Sequence, residues 1–279
     1  MKTVALIGAG GKMGCRLSQN LKDSSFHVMH VENAKDAREK LEKEQAVKCV
    51  DLDEAIDKAD IVLMATPDAL IGQILGGFID RLQPDTMVIM LDAAAPYAGT
   101  LPHREDITYF VTHPCHPPLF TEEIDIKGHR DYFGGIRAKQ HIVCALMQGK
   151  EEHYEVCELV ARTIYKPVMR SHRVTVEQMA ILEPALSETV GATLAFALRE
   201  ATDKAIEKGV PKQAAFDFIL GHLNIELALA FEMFEGKFSD GAIQAINEAK
   251  PVIFKDNWVD KVFDDEAIKQ SVENIASVQ

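Results

Sequence analysis

A glycine-rich turn near the start of the chain constrains its fold more than any other segment. The turn follows the apolar run Thr3–Ile7 and leads into the helical pattern Lys12–Leu21. Glycines let the backbone turn tightly and approach a pyrophosphate, whose charge then lies at the helix N-terminus. We therefore predict that this turn binds a dinucleotide. The residues predicted to contact it are Gly8, Gly10, Gly11, Lys12, Met13 and Gly14.

An acidic residue follows the second predicted strand. Glu32 lies directly after the run Phe26–Val31, 24 residues beyond Gly8. A carboxylate at about this spacing binds the ribose hydroxyls of NAD and repels the 2′-phosphate of NADP. NAD is therefore the predicted cofactor. Lys35 and Arg38 are close enough in sequence to keep NADP as an alternative.

Short apolar runs alternate with amphipathic stretches through the first half of the chain. This alternation predicts an α/β Rossmann domain with a doubly wound, mainly parallel sheet. The predicted strands are Thr3–Ile7, Phe26–Val31, Ile61–Ala65, Met87–Leu91, Tyr109–Val111 and His141–Met147. Ligands bind beyond the carboxyl ends of such strands. Thr66 and Asp68 are therefore predicted to contact the cofactor, ahead of Asp92, which also follows a strand.

The pattern becomes helical after Gly149, with residues 167–173 predicted as a short connection. We predict a Rossmann domain at residues 1–170 and an all-helical substrate and dimerisation domain at 171–279. Helices such as Ile219–Phe234 are more apolar than a domain of about 110 residues buries alone, which predicts a homodimer. The predicted helices are Glu151–Tyr165, Val174–Lys208, Lys212–Phe234, Asp240–Glu248 and Asp264–Ala276.

The acidic composition argues against two classes of partner. The chain has 30 Lys and Arg against 43 Asp and Glu, a net charge of −13. Nucleic acids and anionic membranes attract basic surfaces, so neither is expected as a partner. No apolar run reaches the roughly 18 residues of a membrane-spanning helix. Five cysteines without a C-x-x-C pair favour reduced thiols in the cytoplasm.

Two histidines and a cysteine fall within four residues of a proline-rich loop, Thr112–Pro118. One of His113 and His116 could take the proton of a substrate hydroxyl group. Alternatively, His116 could bind a divalent metal, or both could merely form hydrogen bonds within the loop. Their density beside a predicted cofactor cleft favours a chemical role.

Two glutamates lie in an apolar part of the long predicted helix. Glu183 and Glu188 flank Pro184, which makes the helix locally irregular. Their carboxylates either act in a site or pair with basic side chains at a domain boundary. The candidate metal ligands are His116, Glu183 and Glu188, a nitrogen and oxygen set that suits zinc. Glu188 is also a candidate catalytic residue.

These motifs resemble the 6-phosphogluconate dehydrogenase-like superfamily, in which a Rossmann domain precedes a helical domain that often dimerises. The segment 65–68, Ala-Thr-Pro-Asp, resembles the superfamily's cofactor loop, and His113-Pro114 resembles the His-Pro of prephenate dehydrogenases. The catalytic lysine and asparagine of relatives fall near Pro184 and Glu188. The lysine is absent, so the lysine-based mechanism of hydroxyisobutyrate dehydrogenases is not expected.

More narrowly, the segments GAGGKMG, HPCHPPLF and EPALSE are similar to those of D-apionate oxidoisomerases. This resemblance implies NAD-dependent oxidation of a small sugar acid, coupled to a shift of the carbon skeleton. The alternatives are a simple hydroxy-acid dehydrogenase and a non-enzymatic NAD-sensing protein. Lys127, Arg130 and Arg137 are candidates for binding the substrate carboxylate, without a ranking.

Overall fold

The computed structural model describes residues 1–121, 123 and 125–277. The chain divides into two compact units. The first runs from Met1 to Ile181 and takes up the C-terminal segment from Lys269 onward, and the second comprises Leu182–Ile268.

A seven-stranded sheet forms the centre of the first unit. Its strands are β1 (Thr3–Ile7), β2 (His27–Val31), β3 (Ile61–Met64), β4 (Met87–Met90), β5 (Thr108–Pro114), β6 (Gln140–Gln148) and β7 (Val168–Arg173). They lie in the order β2-β1-β3-β4-β5-β6-β7. Strands β1 to β5 are parallel, whereas β6 is antiparallel to β5 and β7 is parallel to β6.

Helices cover both faces of this sheet. They are α1 (Lys12–Leu21), α2 (Lys35–Gln45), α3 (Leu52–Ile56), α4 (Asp68–Gly76), α5 (Ala94–Tyr97), α6 (Ile126–His129), α7 (His153–Ile164) and α8 (Val176–Ala180), with a 3-10 turn at Ile79–Arg81. Leu17 of α1 and Val160 of α7 are buried against one face, and Leu75 of α4 and Met179 of α8 against the other. This confirms the predicted Rossmann architecture.

The second unit is helical. It contains a π-helical segment from Ile181 to Ala192, α9 (Thr193–Glu207), α10 (Lys212–Ala230), α11 (Asp240–Ile253) and α12 (Trp258–Val262). Helix α13 (Asp265–Ser277) begins in this unit and continues into the C-terminal segment of the first unit. Large aromatic side chains remain exposed on α9 and α10: Phe196 is 74% exposed and Phe218 69%. Among the described residues, one helical run, 176–207, is long and apolar enough to cross a membrane by length and composition.

The predicted connection at residues 167–173 is wrong, because Val168–Arg173 form strand β7. The strand could not be recognised from apolar periodicity because its sequence is polar. An edge strand that is exposed on both sides does not need alternating apolar residues. The first unit also continues past the predicted boundary at residue 170. Val176 and Met179 of α8 are buried in the core of the sheet, so this turn of helix packs with the Rossmann fold.

The predicted single helix Val174–Lys208 is interrupted by the π-helical segment. Pro184 lies inside this segment and lacks the N–H group that an α-helical hydrogen bond needs. The Thr189 hydroxyl donates to the Pro184 carbonyl at 2.7 Å. The irregularity expected from the proline therefore takes the form of widened helical turns.

Candidate active site

The expected dinucleotide site lies where the direction of the chain across the sheet reverses. β1 lies between β2 and β3, so the chain leaves β1 toward one edge and later returns on its other side. Ligands bind outside the carboxyl ends of strands at such a point. The glycine turn lies there, because Gly8 directly follows β1.

Steric space at the turn requires glycine at two positions. Gly8 has a φ of +79°, and a Cβ atom there would lie 2.7 Å from the Ala65 carbonyl oxygen. A Cβ atom on Gly14 would lie 2.1 Å from the Gly8 carbonyl oxygen. Both contacts involve backbone atoms that cannot move aside. The open cradle and the helix start that follows it fit a pyrophosphate.

The predicted ribose-binding carboxylate also holds the turn in place. Glu32 accepts hydrogen bonds from the backbone N–H of Gly10 and of Ala34, each at 2.9 Å. Each carboxylate oxygen has a second lone pair that can accept from a ribose hydroxyl. Glu32 therefore connects the glycine turn, the end of β2 and the expected ribose position.

Lys35 and Arg38, the two cations that could favour NADP, interact with other groups of the protein. Arg38 donates to the Cys49 carbonyl at 2.9 Å and lies 3.5 Å from a Glu42 oxygen. Lys35 lies 3.8 Å from a Glu39 oxygen. Cations engaged in this way are less available to a 2′-phosphate, which is consistent with NAD as the cofactor.

Thr66 provides a polar atom that suits a bound cofactor. Its hydroxyl oxygen is buried and has no hydrogen-bond partner among the described residues. An unpaired buried hydroxyl is costly unless a ligand satisfies it. The Thr66 methyl group lies beside Gly8, and Asp68 begins helix α4 immediately beyond. The residues at this edge therefore fit NAD.

A histidine and a carboxylate meet at the carboxyl ends of β4 and β5. The His113 Nδ1 atom lies 3.2 Å from an Asp92 oxygen and 2.9 Å from the Leu91 carbonyl oxygen. Because a carbonyl can only accept, Nδ1 carries the hydrogen, and the lone pair of the neutral ring is at Nε2. The side chains are 19% and 20% exposed, so solvent screens their interaction weakly.

The electrostatics of this pair keep Asp92 ionised. Burial alone raises the pKa of Asp92, but the hydrogen bond and charge of His113 and the backbone N–H groups of Ala94 and Ala93 hold it below its usual value. An ionised carboxylate beside Nδ1–H favours a proton on Nε2. His113 can therefore act as a general base through Nε2, while Asp92 orients its ring through Nδ1–H.

The second histidine of the loop lies close to the first. The His113 and His116 rings are 6.2 Å apart between centroids and perpendicular. His116 donates from Nδ1 to the Phe133 carbonyl at 2.9 Å, so its lone pair is also at Nε2. The Phe133 ring is in turn contacted by the ammonium group of Lys12, 5.1 Å from the ring centroid. His116 is thus tied to the start of α1.

Glu183 and Glu188 both lie in the π-helical segment of the second unit. Glu183 is half-buried and Glu188 is exposed. Residues five positions apart lie on different faces of an α-helix, whereas i→i+5 hydrogen bonding places them one turn apart in a π-helix. The roles proposed for these two carboxylates in catalysis and metal binding stay predictions.

The candidates for the substrate carboxylate lie around helix α6. Arg137 pairs with Asp125 at 3.0 Å, which reduces its capacity for another anion. Lys127 is in α6 and Arg130 follows it.

The sequence places Asp92 behind Thr66 and Asp68 as a candidate, whereas the structure brings it into contact with His113. Its sequence position could have identified it, because Asp92 follows the buried strand β4. The neighbouring strand β5 leads into the histidine loop.

Comparisons with known proteins agree with this architecture. Residues 121–276 match the family model for the phosphogluconate dehydrogenase (decarboxylating) C-terminal domain. Residues 1–113 match the NADPH-binding domain of acetohydroxy acid isomeroreductase.

Full-length relatives are more specific. The D-apionate oxidoisomerase of Rhizobium rhizogenes is 51% identical over 275 residues, covering 99% of this chain and 100% of the relative. The D-apionate oxidoisomerase of Cupriavidus necator is 51% identical, with 98% of each chain covered.

A solved structure shares the whole fold. It is the semialdehyde dehydrogenase NAD-binding protein from Cupriavidus necator in complex with calcium and NAD, with a TM-score of 0.97, 50% identity and 99% of each chain covered. With these full-length matches, the chain belongs to the D-apionate oxidoisomerase family of NAD-dependent oxidoreductases, within the 6-phosphogluconate dehydrogenase-like superfamily.

Proposed function

We propose that this protein oxidises a hydroxyl group of a small branched sugar acid, D-apionate, and rearranges its carbon skeleton. The observation that carries the oxidation is the Asp92–His113 pair at the same sheet edge as the glycine turn. The rearrangement is supported only by the name of the full-length relatives.

In the proposed reaction, His113 is the general base. Its Nε2 atom takes the proton from the substrate hydroxyl, and Asp92 stabilises the resulting imidazolium charge. NAD, when bound, accepts the hydride from the carbon atom that carries this hydroxyl group. Gly8 to Gly14, Glu32, Thr66 and Asp68 are proposed to hold the cofactor.

A divalent metal remains part of the proposal, with His116, Glu183 and Glu188 as its ligands. His116 suits this role because its Nδ1–H is fixed by a backbone carbonyl, as in many metal-binding histidines. A metal would supply a Lewis acid that polarises a carbonyl group. Zinc fits imidazole and carboxylate ligands, and the calcium in the solved relative makes calcium the second ion to test.

His116→Ala tests the metal proposal. Elemental analysis measures the metal content of the wild type and the variant, and turnover is measured before and after chelation. The variant should have lost both the metal and the activity. Full activity after exhaustive chelation, with no metal in the protein, would leave only the general-base mechanism.

A homodimer in the cytoplasm is also proposed. The exposed aromatic side chains of α9 and α10 form an apolar surface that suits a second copy of the chain. A bilayer suits the run 176–207 less well, because it includes Arg199 and Asp203 as well as Glu183 and Glu188. The free cysteines agree with a reducing compartment. Light scattering at micromolar concentration tests the dimer, and a monomer would refute it.

The decisive experiment for the reaction combines NADH formation with carbon NMR. D-apionate labelled at the carboxyl carbon is incubated with the enzyme and NAD. Rearrangement should change which carbon neighbours the label. Oxidation without such a change would indicate a simple hydroxy-acid dehydrogenase, and NAD binding without turnover of any hydroxy acid would indicate an NAD sensor.

A further inference from the structure

We propose that Arg170, with His172 and His141 beside it, binds the carboxylate of the substrate. This inference rests on the proposed function, because it names the group that holds a sugar acid at the Asp92–His113 pair. None of these three residues is among the cations that the sequence suggested.

The direction of β6 brings these residues to the edge that carries the catalytic pair. Because β6 is antiparallel to β5, the amino-terminal ends of β6 and β7 lie at the carboxyl edge of β1 to β5. In the ladder, His113 pairs with Val143, and Val143 pairs with His172. Paired residues present their side chains on one face of a sheet, so His113 and His172 share a face.

A register shift places Arg170 near the same row. Val168 pairs with Gln140 and Ser171 pairs with Ile142, so two residues of β7, Met169 and Arg170, lie opposite His141 alone. Such bulges re-aim side chains and are common next to active sites. β5 and β7 are two strand spacings apart, roughly 10 Å. A small sugar acid and an arginine side chain can bridge that distance together.

The charges around His141 support this grouping. The His141 and His172 rings lie 5.9 Å apart between centroids. Burial lowers the pKa of His141, and its neighbours Arg170 and His172 lower it further. Arg170 and His172 are both exposed, and Arg170 has no ion pair among residues 1–121, 123 and 125–277. A cation in this state can accept a carboxylate ligand.

The other arginine of β7 is different and provides a matched control. Arg173 pairs with Cys144, so it lies on the opposite face from His172. Its guanidinium forms an ion pair with Glu151 and lies 4.3 Å from the centre of the Tyr154 ring. Arg170 and Arg173 thus lie on the same strand, but they differ in the face of the sheet that they occupy. They also differ in their contacts, because Arg173 is held by Glu151 and Tyr154.

The test compares R170Q with R173Q in the full chain. For R170Q we expect the KM for D-apionate to rise roughly 10- to 100-fold, the loss expected for a charge-assisted hydrogen bond. The Kd for NAD and the thermal midpoint should stay near the wild-type values. R170K should restore part of the affinity, and R173Q should leave KM unchanged. An unchanged KM in R170Q, or equal effects of both variants, would overturn the inference.

A binding assay separates this inference from the proposed reaction. Calorimetry measures binding of D-apionate and of glycerate to the NAD-loaded protein, with glycerol as the neutral control. If the wild type binds the acids without turnover and R170Q loses that binding, the proposed reaction fails while the carboxylate site stands. If acid binding is the same in both proteins, the carboxylate site is refuted whatever the reaction.

Discussion

Replacing Asp92 by Asn removes one negative charge from the catalytic pair while keeping the shape of the side chain. The Asp92 carboxylate lies 3.2 Å from His113 Nδ1 and also accepts from the Ala94 N–H at 2.7 Å. During proton transfer the His113 ring becomes positive, and a neutral amide stabilises that charge less. A hydrogen bond to a charged group contributes about 1.5–3 kcal/mol. At 1.36 kcal/mol per factor of ten, kcat should fall roughly 10- to 150-fold.

The assay is NADH formation at saturating NAD and substrate, with Asp106→Asn as the control. Asp106 pairs with Arg104 at 2.7 Å just before the amino end of β5, away from the glycine turn. Its replacement should leave kcat within about twofold, because Asp106 precedes the amino end of β5 whereas His113 lies near its carboxyl end. If D92N is folded and its kcat falls less than threefold, the role of Asp92 as the orienting carboxylate is wrong.

Stability gives an independent check on the same carboxylate. The pKa of Asp92 is lower in the folded protein than its usual value of about 3.9. Its contribution to the free energy of unfolding is therefore complete above about pH 4 and is lost as pH falls through the lowered pKa. Denaturant unfolding should show this loss in the wild type and a smaller one in D92N.

Three further predictions concern the Rossmann unit. Gly14→Ala should lower the thermal midpoint and abolish NAD binding, because its Cβ would overlap the Gly8 carbonyl, whereas Gly76→Ala, with no atom within 4 Å, should be neutral or slightly stabilising. Glu32→Gln should raise the Kd for NAD roughly 10-fold in calorimetry, because it weakens hydrogen bonds from the glycine turn and the ribose. Burial lowers the pKa of His30, so the free energy of unfolding should fall as pH decreases below about 6.5, and His30→Gln should flatten this dependence in urea titrations.

The parts of the fold that could be predicted are those with a strong local signal. The glycine turn and Glu32 are close in sequence, and the apolar strands are short continuous runs, so neighbouring residues suffice to identify them. Strand β7 could not be predicted in this way, because its edge position leaves it polar and its pairing partner determines its structure.

The candidate site depended more on contacts that are distant in sequence. His113 was identified from the composition of its own loop. Its pairing with Asp92 requires β4 and β5 to be neighbours in the sheet, which no local pattern specifies. The position of Arg170 depends on two further features of the sheet, which are the antiparallel direction of β6 and the bulge in β7.

The reversal of β6 has a consequence for how such enzymes can diversify. The segment that matches a dinucleotide-binding domain, residues 1–113, ends at His113, and β6 and β7 belong to the separately matched segment 121–276. If substrate acids are bound from the starts of β6 and β7, substitutions there can change the preferred acid while the cofactor residues stay untouched. Selection or engineering could then exchange one sugar acid for another by altering a few edge positions, with the redox half of the protein inherited unchanged.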